Sequence, residues 1–199
     1  MGASLGVLGG AFNPPHVGHL LLAQEASWQL GLDRVLLMTT GEAPHKTIAD
    51  DPGADLRLEL TKLAAEAGEG TEASDLEVKR DGPSYSYRTL ELLAEEDPGR
   101  ELHFLLGADM AAALGSWEKP ERVVELARLA VVPRPGVEMD DVRLELERLG
   151  AADRADIIDM PVCGVSSTSI RERAAAGKPL RHLVPDPVAR VIAAEGLYR

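Results

Sequence analysis

The stretch GVLGGAFNPPHVGHLLLAQ, residues 6–24, decides how the rest of the chain is read. An apolar run stops at Gly9 and Gly10, the chain crosses Pro14 and Pro15, and a long apolar segment then begins around His16 and His19. Adjacent glycines reach backbone angles closed to other residues and let a phosphate approach the main chain. The prolines end the strand and stiffen the loop. Histidines three apart at a helix start lie on one face, and Gly18 between them leaves space for a ligand. Imidazoles beside the positive end of a helix make a cradle for a polyphosphate.

Working outward, the same alternation of apolar runs and helical spacing recurs. It predicts strands over 4–8, 34–39, 75–80, 102–107, 129–132 and 156–160. Helices are expected over 17–31, 54–67, 86–96, 119–127, 138–149, 167–176 and 186–195. Short apolar strands alternating with helices define an α/β chain, a doubly wound parallel sheet with helices on both faces. Ligands of such sheets bind outside the carboxyl ends of the strands. Gly9, Thr40, Gly107 and Pro161 stand at or near the ends of predicted strands, so the polar and glycine-bearing stretches after them converge on one edge.

The chain as a whole narrows the function classes. Its 199 residues suit one domain with a proper core. A formal net charge of −12 argues against a nucleic-acid scaffold, and leaves room for small anions only at a local island of His, Lys, Arg and helix N-termini. Cys163 is the single cysteine, which rules out a disulfide framework and suits a reducing compartment. No basic-then-apolar leader and no run of membrane-spanning length is visible, so a soluble cytoplasmic protein is expected. Phe12, Tyr85, Tyr87 and Trp117 all lie beside the polar motifs, a placement that suits ring stacking as well as core packing.

Competing chemistries fail on spacing. The turn lacks G-x-G-x-x-G, and no G-x-x-x-x-G-K-[ST] occurs anywhere. His16 and His19 could share a zinc ion, but only the distant His45 offers a third ligand, so no metal ligands are assigned. VSSTSIRER (165–173) follows a strand and starts a helix. Ser169 with Glu172 fits a capping box, and Ser166 or Ser167 could cap instead. By itself this is an ordinary capped helix. On the same sheet edge as the histidines, its unbonded amides together with Ser167, Thr168 and Arg171 form a second anion clamp.

GGAFNPPHVGH resembles the H-x-G-H motif of the nucleotidyltransferase superfamily of adenylyl- and cytidylyltransferases. PHK (44–46), GPSYSYRTL (82–90), FLLGADMAAALGSW (104–117) and VSSTSIRER follow in the order and spacing of the bacterial nicotinate-nucleotide adenylyltransferase family, and RPG (134–136) and GLYR (196–199) match it too. The resemblance covers nearly the whole chain. It implies a Rossmann-like sheet and one nucleotidyltransferase domain over 1–199, with the helical part from about 165 to 199 packed on it.

The implied reaction is transfer of AMP from ATP to nicotinate mononucleotide, giving deamido-NAD and pyrophosphate in NAD biosynthesis. ATP would bind through Gly9, Gly10, Ala11, Phe12, His16, Gly18, His19, Gly107, Ser167, Thr168 and Arg171, with Asp109 on ribose hydroxyls. The mononucleotide would meet Gly10, Lys46, Tyr85, Ser86, Thr89 and Trp117; Trp117 stacks on the pyridine ring, and main-chain amides near Ser86 and Trp117 hold its carboxylate. His16, His19, Lys46 and Arg171 would carry catalysis, with His19 at the transition state and Lys46 and Arg171 assisting the leaving group. Read without the resemblance, Lys46 is a solvated loop lysine, Asp109 a helix cap and Trp117 a core residue. Mg²⁺ is expected to ride on the ATP phosphates. Nucleic acid and membrane partners are not expected; a homo-oligomer is open, since the sequence does not reveal the oligomeric state.

Where the family usually has Thr, Asp and Pro, this chain has Ala11, Asn13 and Ala43. Ala11 leaves only a backbone amide, Asn13 should lessen repulsion of an anion, and Ala43 should loosen the loop before PHK. Rival readings are a transferase for nicotinamide mononucleotide, phosphopantetheine or glycerol phosphate, a non-catalytic nucleotide-binding protein, and a zinc hydrolase.

Overall fold

The computed structural model describes residues 4–44 and 47–199. Its centre is a sheet of six parallel strands in the order β3-β2-β1-β4-β5-β6. The strands are β1 (Ser4–Gly10), β2 (Arg34–Thr39), β3 (Thr71–Ser74), β4 (Glu101–Gly107), β5 (Arg128–Val132) and β6 (Ala155–Ile157). The helices are α1 (Val17–Leu30), α2 (Ala54–Ala65), α3 (Ser86–Glu96), α4 (Ala108–Ala112), α5 (Pro120–Leu126), α6 (Met139–Arg148), α7 (Ser167–Ala175) and α8 (Asp186–Ala194).

The central strands are apolar along their whole length because helices cover both faces. Leu5 to Leu8 of β1 are all buried, and so are Val35 to Thr39 of β2. Successive side chains point to opposite faces. Val7, Met38, Phe104 and Leu106 therefore join α3, α5 and α6 in one core, while Leu8, Leu37 and Leu105 join α1 in the other. A third cluster holds Leu60 and Ala64 of α2 against Ile170 of α7 and Val188 and Ile192 of α8. Each of these Leu, Ile and Val side chains stabilises the fold by about 1.5–3 kcal/mol relative to exposure. Helix α1 stops at Gly31, whose φ of 63° is left-handed backbone open to glycine and which returns its N–H to Ser27 O.

After β1 the winding reverses: β2 and β3 lie on one side of it, and β4, β5 and β6 on the other. The reversal opens a crevice between the carboxyl ends of β1 and β4, where the backbones diverge. Among the described residues, no helix is long and apolar enough to cross a membrane.

The pattern of the sequence misplaced one strand. Residues 75–80 alternate like a strand but form a turn, closed by Lys79 N donating to Asp75 O at 2.9 Å and by the Lys79–Asp75 ion pair at 2.7 Å. The strand is the preceding TEAS, a half-exposed edge that needs no apolar run. The last strand is 155–157 rather than 156–160, although Ile158 N still reaches Val131 O at 2.9 Å. Helix α4 and a short 3₁₀ turn at Leu114–Ser116 occupy a stretch for which periodicity assigned nothing.

Candidate active site

A cavity of about 370 Å³ lies in that crevice. Gly9, Gly10, Ala11 and His19 line it from the β1–α1 turn, Tyr85, Ser86 and Thr89 from the start of α3, and Gly107 and Trp117 from the segment after β4. Nine of the expected residues thus meet in one place, drawn there by three separate elements. His16, Phe12, Gly18, Asp109, Ser167, Thr168 and Arg171 are not on its wall. Lys46 lies outside the described residues, as does His45.

The histidine turn is packed in layers. Phe12, 2 % exposed and at a left-handed φ of 48°, sets its edge against the His19 ring at 4.9 Å. The His16 ring stacks on His19 with centroids 3.7 Å apart. His16 N–H donates to His19 Nδ1 at 3.1 Å. That nitrogen is therefore an acceptor, and the neutral ring carries its proton on Nε2. Burial, then the Arg134 charge, lowers the His16 pKa to about 4. Burial, His16 and Arg134 hold His19 well below the ordinary histidine value. Both rings are neutral at pH 7, so what His19 can offer a ligand is a hydrogen-bond donor and not a fixed positive charge.

A positive charge beside the neutral histidines comes from a residue that sequence reasoning left without a role. Arg134, just past β5, lines the cavity and pairs with Asp109 Oδ1 at 3.3 Å. Its position after a strand on the same edge was the available signal. Asp109 is not the cap of α4, since Gly107 holds the N-cap position. Gly18 also serves differently from expectation. A Cβ there would stand 3.0 Å from His16 Nδ1 and 3.2 Å from Cys163 Sγ, so the room it leaves is filled by protein.

Helix α7 is capped by Ser166, not Ser169: Ser166 Oγ accepts from Ser169 N at 3.1 Å, and Ser169 Oγ accepts from Ser166 N at 3.2 Å. Its first turn is fastened to the loop before α1. Ser167 Oγ donates to Pro14 O at 2.8 Å, and Arg171 Nη1 donates to Asn13 O at 2.9 Å. Arg171 Nε also reaches Asp50 Oδ2 at 3.2 Å and Nη2 reaches Thr168 Oγ1 at 3.4 Å. The guanidinium therefore backs the histidine turn and does not share the cavity with His19.

Asn13 is likewise turned away from the cavity. Its side-chain amide donates to Ala49 O at 2.7 Å, and its oxygen accepts from Tyr198 Oη at 2.7 Å. A carboxylate could not make the first bond. The amide ties loops together instead of easing repulsion of an anion.

Also on the cavity wall, Trp117 stands edge-on to Phe104 with centroids 6.1 Å apart. Its N–H closes the 3₁₀ turn by donating to Leu114 O at 3.0 Å, so that amide is already engaged. The first-turn amides of α3 at Ser86 and Tyr87 have no helix carbonyl behind them. Tyr85 and Tyr87 stack at 6.0 Å. Thr89 Oγ1 donates to the buried Glu77 carboxylate at 2.6 Å, and burial raises the Glu77 pKa.

A parallel sheet in this strand order, with a glycine turn and histidines at its switch point, is the frame of a nucleotidyltransferase. The chain belongs to the cytidylyltransferase-like family, whose pattern matches residues 7–173. It is 41 % identical to a probable nicotinate-nucleotide adenylyltransferase of Roseiflexus sp., over 99 % of this chain and 98 % of that one. It is 37 % identical to the nicotinate-nucleotide adenylyltransferase of Bacillus subtilis, over 98 % and 97 % of the two chains. Among solved structures, the nicotinic acid mononucleotide adenylyltransferase of Plasmodium falciparum, complexed with NaAD, shares the fold at a TM-score of 0.81 and 16 % identity, over 98 % of this chain and 97 % of that one.

Proposed function

We propose that this protein transfers AMP from ATP to nicotinate mononucleotide, releasing pyrophosphate and deamido-NAD. The reading is carried by one cavity whose wall includes the Gly9–Ala11 turn and His19 together with Trp117 and the start of α3. Full-length similarity to nicotinate-nucleotide adenylyltransferases supports the choice of substrates.

An oxygen of the mononucleotide 5′-phosphate forms the new bond to the α-phosphorus of ATP. The bond from that phosphorus to the bridging oxygen breaks, and pyrophosphate leaves with the electron pair. The nucleophile is already anionic near pH 7, so no general base is required. Alignment and charge stabilisation do the rest. His19 Nε2–H donates to the phosphate oxygens as charge builds, Arg134 supplies a positive charge beside it, and the turn amides hold the chain of phosphates. Lys46 is assigned to the leaving group; Arg171, which stands behind the histidine turn, would have to give up Asp50 and swing toward the cavity to join it.

ATP enters as its Mg²⁺ complex. Among the described residues no three His, Cys, Asp or Glu side chains stand together, and Asp109 is paired with Arg134. On this reading the ion is held by the phosphate oxygens of ATP. Trp117 offers a face for the pyridine ring, and the α3 amides at Ser86 and Tyr87 offer donors for its carboxylate.

The test is pyrophosphate release from ATP with nicotinate mononucleotide, run beside nicotinamide mononucleotide at equal concentration. Release with the acid and at least tenfold less with the amide is expected. Equal rates would remove the acid preference, and no release with either would remove the reaction.

A further inference from the structure

Arg57 is the largest fully buried side chain, 1 % exposed, and it sits on α2, an element to which no catalytic motif belongs. Its guanidinium donates to Ala11 O at 3.0 Å, Thr40 O at 2.6 Å and Gly41 O at 3.1 Å, and its Nε pairs with Asp51 Oδ1 at 2.8 Å. One planar cation thus gathers carbonyls from the loop after β1 and the loop after β2. A lysine has no such fork.

The consequence lies on the opposite side of the peptide units. In a trans peptide the C=O and N–H point in opposite directions. Gly10 O is taken by Thr40 N at 2.9 Å and Ala11 O by Arg57, which turns the Ala11 and Phe12 amides the other way. Neither amide has a hydrogen-bond partner among the described residues, and Ala11 lines the cavity. Phe12 has the left-handed φ that brings successive amides into a concave anion nest.

We propose that Arg57 is a positioning residue for the phosphate cradle: it pulls back Ala11 O and so aims the Phe12 amide, and by gripping Thr40 O and Gly41 O it steadies the loop whose Thr40 N–H holds Gly10 O and so aims the Ala11 amide. The inference rests on the transferase reading for its kinetic readouts, while its binding readout stands apart from turnover.

The experiment compares Arg57→Lys and Arg57→Gln with the wild-type chain, below the melting temperature of each. Inorganic tripolyphosphate binding is followed by calorimetry, and the kinetic constants by pyrophosphate release. Binding should weaken tenfold or more in Arg57→Gln and by less in Arg57→Lys, with kcat falling as well as KM rising. A purely structural arginine would lower the melting temperature and leave both measurements within twofold, which overturns the proposal. If neither variant folds, ¹⁵N spectra of the wild type decide. Tripolyphosphate should shift the Ala11 and Phe12 amides together with the Arg57 Nε–H signal, because linked hydrogen bonds polarise one another. Shifts at the amides alone, or at none of the three, overturn it. A wild-type protein that binds tripolyphosphate but releases no pyrophosphate removes the reaction and leaves Arg57 standing.

Discussion

In the turn between β1 and α1, each shaping group is held by its immediate neighbours. Phe12 braces His19, His16 stacks on it, and His16 N–H fixes its tautomer. At the start of α7 the arrangement is looser, for Arg171 is held partly by Asp50, whose side chain is 68 % exposed. An ion pair with one partner in water contributes about 1 kcal/mol or less. Rearranging the stacked imidazoles would break several buried contacts at once. The first turn is therefore rigid, whereas the second has a partner it can exchange; on the proposed transferase reading, the first is preorganised for chemistry and the second adjusts to the bound anion. Damage to the first should appear in kcat, and damage to the second in affinity.

The sharpest way to break this contrast is His19→Ala. Losing one aligned donor to a developing charge costs about a hundredfold or more in turnover. Calorimetry should show ATP still bound. A drop of only a fewfold would mean that the stacked pair is scaffolding.

Next in size is the acceptor end. Trp117→Ala should weaken binding of the mononucleotide about tenfold and spare ATP, as a stacking face worth roughly 1–1.5 kcal/mol would. Equal loss of both ligands in a titration would show that Trp117 serves Phe104 and the core instead.

The preorganised turn also predicts a dependence on pH. His16 is held neutral, with its pKa lowered from 6.5 to about 4. Below pH 6.5 the unfolded chain takes up a proton that the folded chain refuses, so stability falls as pH drops from 6.5 to about 4. The contribution is at most about 3 kcal/mol. Denaturation across this range should be flatter for His16→Gln than for wild type. Parallel curves would mean that His16 titrates normally.

The smallest effect belongs to the exchangeable side. Asp50→Asn removes the charge that competes for Arg171, and ATP affinity should rise up to about fivefold with kcat unchanged. Weaker binding would place Asp50 on the ligand rather than against it.

The same contrast explains what the sequence made legible. Uninterrupted apolar runs such as RVLLMT announce buried parallel strands because both faces are covered, while the edge strand TEAS carries no such mark. The histidine turn is readable because its glycines, prolines and imidazoles are neighbours in the chain. Arg134 and Arg57 are not, since an isolated arginine in a loop or a helix looks solvated until folding brings distant carbonyls, rings or Asp109 to it. Gly18 was misread for the same reason, because the sulfur it accommodates comes from Cys163 in the far part of the chain. Asn13 looked like a charge adjustment because Ala49 and Tyr198 meet it only after folding.

The two tryptophans sit in very different surroundings: Trp28 is 83 % exposed on α1, while Trp117 lies on the cavity wall. Water already dominates the emission of Trp28, so a bound aromatic ring should change the fluorescence of Trp117 alone. If the acceptor stacks on Trp117 as proposed, the molecule carries its own optical gauge of that occupancy, with a built-in reference, and needs no attached dye.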